Sequence, residues 1–181
     1  GKCVPGGKLP VSWPAHPGQI PIFFAQNATG RPANPVDRLT SKYLDAPVAP
    51  QFPFGHGLSY SRFSYGNLRV SPETVRVGDV ITVTVDITNE GPHAAEETAF
   101  LFIRDMVASV ARTVLELRGM RKAKLAVGEG CSLTFHIATT DLAFLGNDGE
   151  PHLEAGAYQI FVGASANHAA LLKTSISLVI P

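Results

Sequence analysis

The run VITVTVDIT at residues 80–88 sets Val83, Val85 and Ile87 against Thr82, Thr84, Asp86 and Thr88. Successive side chains of a strand point to opposite faces, so this alternation buries one face and leaves the other in water. The same period returns in SLTFHIAT (132–139), with Leu133, Phe135 and Ile137 on one face and His136 on the outer one. It returns again in AYQIFVG (157–163) and TSISLVI (174–180). TAFLFIR (98–104) is apolar on both faces, the pattern of a central strand. ARTVLELRGMRKAKL (111–125) is ambiguous: Leu115 and Leu117 favour a strand, and Gly119 opposes a long helix.

Turn chemistry separates these runs, at Val77-Gly78-Asp79, Asn89-Glu90-Gly91, Gly128-Glu129-Gly130 and Asn147-Asp148-Gly149. Six or seven short strands divided by such turns predict an antiparallel β-sandwich over residues 63–181. No Cys…Trp…Cys framework of the antibody type is present, so the expectation is a fibronectin type III-like, immunoglobulin-like sandwich. The fold class is mainly β.

The chain before Phe63 has another grammar. Ten of the fourteen prolines fall in residues 1–53. Proline lacks a backbone donor and disfavours helix in the residue before it, so this region is extended or irregular. KLPVSW (8–13) and GQIPIFF (18–24) read as two short buried strands bounded by Gly and Pro. They cannot close a core alone, and the region reads as the tail of a larger domain.

Composition narrows the chemistry. Lysine plus arginine equals aspartate plus glutamate at 15 each, and charged residues make up only 17% against 45% hydrophobic. No basic stripe for nucleic acid or anionic lipid is available, and no apolar run reaches the ~20 residues of a membrane span. GKCVPGGKLP at the N-terminus has no apolar h-region of a signal peptide, and the compartment stays open between cytoplasm, periplasm and secretion. Cys3 and Cys131 match no metal or redox spacing; they read as buried free thiols, with a mutual disulfide as the alternative.

Of fifteen acids, only Asp37 and Asp45 precede Glu73, and the rest fall in turns or on polar strand faces. Glu96-Glu97 is the one adjacent pair, but neighbours on a strand point apart, so the acids read as solvated surface groups. The histidines 16, 56, 93, 136, 152 and 168 show no ligand spacing, so neither metal nor cofactor is expected. His56, between two glycines, is the one histidine with a functional alternative to a structural role. No G-x-S-x-G or phosphate-cradling glycine motif occurs. Asn27-Ala28-Thr29 is a formal glycosylation sequon. Catalytic equipment is absent.

PGGKLPVSWP (5–14), GQIPIFF (18–24), NATGRP (27–32), SKYLDAP (41–47) and FPFGHGLSYSRFSYGNLRV (52–70) occur in this order. VDITNEGPHAAEETAFLFIRD (85–105), VLELRGMRK (114–122) and GAYQIFVGAS (156–165) follow. Together they resemble the C-terminal portion of glycoside hydrolase family 3, the β-glucosidases and their relatives. The resemblance implies an upstream (β/α)8 barrel with an aspartate nucleophile and an α/β domain with a glutamate acid/base. A barrel takes ~250 residues and is not in this chain.

By that resemblance residues 1–50 are the end of the α/β sandwich domain, 51–62 an interdomain linker and 63–181 the fibronectin type III-like domain. The chain is then part of a retaining β-glucosidase, inactive alone. Its partners are the barrel and α/β domain, with carbohydrate bound through that assembly. Phe52, Phe54, Tyr60 and Phe63 are expected to clamp the linker, with Gly55 and Gly57 letting the backbone turn. The lip of an active site is the alternative for this stretch, with His56 near substrate. The chain departs from the family's pattern at Cys3-Val4-Pro5 and at His56. A free-standing carbohydrate-binding module and a purely structural interaction domain remain as other readings of the whole chain.

Overall fold

A computed structural model describes residues 2–34 and 36–180; Gly1, Pro35 and Pro181 lie outside the described residues. The alternating runs become strands β1 (Phe63–Ser71), β2 (Thr74–Arg76), β3 (Val80–Asn89), β4 (Ala95–Asp105) and β5 (Glu116–Leu125). Next come β6 (Gly130–Ala138), the short pair β7 (Phe144–Leu145) and β8 (Pro151–His152), then β9 (Gly156–Gly163) and β10 (Leu172–Val179). Gly78 and Gly128 take φ of +94° and +75° in the turns before β3 and β6, a region that side chains with a Cβ rarely enter.

Two sheets stack: a three-stranded one in the order β1-β3-β6 and a five-stranded one in the order β2-β10-β9-β4-β5. All pairings are antiparallel except β2 with β10. The β3–β6 register sets Val83 opposite Phe135 and Val85 opposite Leu133, so both alternations point inward together. These side chains meet Ala99, Leu101 and Ile103 of β4, Tyr158, Ile160 and Val162 of β9, and Ile176 and Leu178 of β10. The ambiguous 111–125 stretch resolves into β5 from Glu116, with Leu115 buried just before it.

β4 lies between β9 and β5, inside its sheet as its two apolar faces require. Its second face is covered by the chain's own proline-rich segment. Phe100 and Phe102 join Phe161, Leu115 and Leu171 in a separate buried cluster outside the sandwich, and Phe24 and Phe54 pack onto it.

The two short strands expected at 8–13 and 18–24 do not form. Trp13 makes a single antiparallel bridge with Phe52, and Pro17–Gln19 is one 3-10 turn. Pro10, Pro14, Pro17 and Pro21 remove the donors that a ladder would need. Buried Gln19 ties the segment together instead: its amide donates to the carbonyls of Pro47 (2.7 Å) and Ala49 (3.1 Å) and accepts from the Ala15 amide. Among the described residues no helix is long and apolar enough to cross a membrane.

Candidate functional site: the seam between segment and sandwich

The stretch 52–57 lies back on residues 9–13. Trp13 N donates to Phe52 O (2.7 Å), Gly55 N to Leu9 O (2.8 Å) and Leu9 N to His56 O (2.8 Å). The Ala166 amide then donates to Phe54 O (2.8 Å), fastening the pair to the sandwich. The Phe54 ring sits 4.5 Å from Phe24 and 5.2 Å from Phe100, edge-on to the latter, within the range of favourable aromatic pairing.

Gly55 has φ of +80°, and a Cβ there would lie 2.8 Å from Phe100 Cε2 and 2.9 Å from Ser165 Cα. At Gly57 it would lie 2.6 Å from the Gly7 carbonyl oxygen. Glycine is required at both places, at one by backbone conformation as well as space.

The other residues singled out in this stretch are more dispersed. Phe52 is 37% exposed and stacks on the His56 ring at 4.6 Å. Phe63 packs against the inter-sheet core, half-buried. Tyr60 lies apart, exposed, with the His93 ring 6.5 Å from its own. His56 is half-buried, and among the described residues no ion pair involves it.

A cleft of about 410 Å³ opens beside the clamp, lined by Lys8, Ser59, Ser61, Tyr65, Glu97 and Ser165 among others. Here the reading of every acid as a solvated surface group fails. Glu97 is buried, facing inward from β4, and Lys8 Nζ approaches its Oε2 to 3.1 Å. Tyr65 donates its hydroxyl to Glu97 Oε1 at 2.8 Å. Burial, with the adjacent carboxylate, holds the Tyr65 hydroxyl far above its ordinary range, so it stays a donor. Alternation puts Glu96 and Glu97 on opposite faces but does not say which of them turns inward. What it lacks is the cation from far upstream that makes an inward carboxylate tolerable.

A second buried acid lies elsewhere. Asp105, at the end of β4, has Arg112 Nη1 3.8 Å from its Oδ2, and Arg112 also pairs with Glu116 at 2.7 Å. Arg112 is stacked over the Phe144 ring, 4.5 Å from its centre. Burial raises the Asp105 pKa, against the lowering by the Val107 amide and Arg112. Arg112 ties the two carboxylates together, with Glu116 also held by Arg118 at 2.5 Å, an arrangement suited to holding loops and not to acid/base catalysis. Among the described residues no group of three or more His, Cys, Asp or Glu could hold a metal ion. Both cysteines are free, yet neither is buried as expected: Cys3 is exposed and Cys131 half-buried.

The Fibronectin type III-like domain model matches residues 97–166. The chain is 34% identical to the periplasmic beta-glucosidase of Salmonella typhimurium over 164 residues, covering 90% of this chain and 21% of that protein. It is 32% identical to a beta-xylosidase of Formosa agariphila, covering 98% of this chain and 24% of the other. Of solved structures, the beta-glucosidase of Listeria innocua in complex with isofagomine superposes with a TM-score of 0.92 at 33% identity. That match covers 98% of this chain and 25% of the other.

The chain carries a fibronectin type III-like domain and is similar almost throughout to part of these β-glucosidases and β-xylosidases.

The chain therefore spans between a fifth and a quarter of the length of relatives that it matches almost throughout its own. The match with the Listeria innocua enzyme includes the proline-rich segment as well as the sandwich, since it covers nearly all 181 residues.

Proposed function

We propose that this chain belongs to glycoside hydrolase family 3 and scaffolds a retaining β-glucosidase that releases terminal β-D-glucosyl residues, with the catalytic site carried by further barrel and α/β portions. The observation that carries this reading is coverage: relatives named for glycosidase activity match the chain nearly end to end and are four to five times its length. In this reading residues 1–50 close the α/β domain, 51–62 are the linker and 63–181 the terminal sandwich. The geometry agrees with a supporting role. Retaining glycosidases hold two carboxyl groups ~5–5.5 Å apart across a substrate cleft. The acids that this chain buries are bound instead to Lys8 and Arg112.

The segment also offers apolar side chains that its own fold leaves uncovered, Ile20, Leu39 and Leu44 among them. A surface of that kind suits packing against a larger α/β portion. Turnover of p-nitrophenyl β-glucoside and β-xyloside by the chain, by a separately expressed barrel and α/β portion, and by the two together tests the reading. Glucoside hydrolysis appearing only with both is the expected result. Hydrolysis by this chain alone, abolished by replacing one of its own carboxylates, overturns it. Faster xyloside than glucoside turnover overturns the substrate assignment alone.

A further inference from the structure

Glu96 and Glu97 are neighbours on β4 with opposite surroundings. Glu96 pairs with Lys122 at 2.7 Å on the surface, both side chains about half exposed. Glu97 turns inward with 5% of its side chain exposed, and its cation is Lys8, 89 residues earlier and itself only 14% exposed. Among the described residues Glu97 has no other ion-pair partner.

We propose that Glu97 sets the register of the proline-rich segment on the sandwich by admitting only a cation at position 8. The segment has no strand ladder of its own to fix where it lies. Its aromatic contacts, Phe24 and Phe54 on Phe100 and Phe102, and a few isolated backbone hydrogen bonds each cost little to shift compared with an unpaired buried charge. A docked segment one residue out of register would bury Glu97 beside Gly7 or Leu9, with a Tyr65 hydroxyl on one oxygen and no balancing charge. A buried pair of this kind adds little net stability over an apolar pair, and removing one partner alone is strongly unfavourable. That asymmetry makes it a device for specificity. It stands whether or not the chain scaffolds a glycosidase, because it concerns how the chain's two parts fold onto each other.

Among the described residues four backbone–backbone hydrogen bonds cross between segment and sandwich and report docking without any assay of activity. Ala28 N donates to Arg112 O, Val114 N to Gln26 O, Ala166 N to Phe54 O and Glu90 N to Arg62 O. Hydrogen exchange at Ala28, Val114 and Ala166 in the full chain is the measurement. Lys8→Met and Glu97→Gln, each alone, should speed exchange there by about 100-fold. The double variant Lys8→Met/Glu97→Gln, with no charge left to balance, should return to within about tenfold of the parent. Lys122→Met, which breaks the surface pair of Glu96, should leave these amides within about threefold. If a single variant does not fold, a folded double variant still supports the proposal. A double variant as damaged as the two single ones combined overturns it, as does unchanged protection in Lys8→Met.

Discussion

The two parts of this chain bury apolar surface in opposite ways. From Phe63 to Val179 the backbone pairs with itself in two sheets, and side chains of both inner faces close a core with no outside help. From Lys2 to Arg62 almost no backbone pairing is regular, and many large apolar side chains remain in solvent. What order the segment has comes from single attachments: the Gln19 amide, the Trp13–Phe52 bridge, the Phe24–Phe54 clamp and Lys8. A proline-dense stretch cannot pair into a sheet, so it takes its shape from the surface it lies on.

The contrast can be broken most severely from the sandwich side. Leu101 is fully buried between the sheets, and Leu101→Ala should cost ~3–5 kcal/mol in urea unfolding, the upper part of the range for such cavities. A loss under ~1 kcal/mol would mean that the inter-sheet core is not the main source of stability.

The clamp comes next. Phe54 is half-buried, so Phe54→Ala should cost ~2–3 kcal/mol, short of the ~3–5 kcal/mol of a fully buried ring. Gly55→Ala should cost ~1–3 kcal/mol, since it places a methyl against Phe100 and Ser165 at positive φ. Both should raise amide exchange at Ala166 more than at Ile160 in the centre of β9. Equal acceleration at both amides would show that segment and sandwich open only together.

A subtler test uses pH. Burial raises the Asp105 pKa above its unfolded value of ~3.9. The folded state therefore holds that proton more tightly than the unfolded one between the two values. Stability drawn from Asp105 is present below the unfolded pKa and is lost as pH rises through the folded one. Compared with Asp105→Asn, the parent chain should lose stability as pH is raised from about 4 towards 7. The opposite slope would mean that Arg112 outweighs burial.

The smallest effect is expected at His56. Its ring stacks on Phe52, which is itself partly exposed, so His56→Ala should change stability by less than ~0.5 kcal/mol. In a reconstituted enzyme the same variant separates the two roles open to it. Unchanged KM for glucoside leaves it structural; a rise in KM at equal stability places it beside substrate.

Residues 80–88 and their repeats determined the sandwich without outside information, because strand period is local: each residue's face follows from its neighbour's. The doubly apolar TAFLFIR run announced that β4 is covered on both sides. It could not name the cover, which is Phe24 and Phe54 of the segment. KLPVSW and GQIPIFF had strand composition, yet their prolines remove donors that a ladder needs; KLPVSW makes only isolated bonds with residues 52–56, and both stay irregular. Glu97 is the sharpest case. Alternation separated it from Glu96 without saying which of the two turns inward; burial of a charge is permitted only by a partner, and that partner, Lys8, lies 89 residues away in sequence. Local pattern thus decided the elements and their faces. Only the tertiary structure decided which charges are buried and what lies against the outer face, since both depend on contacts between distant residues.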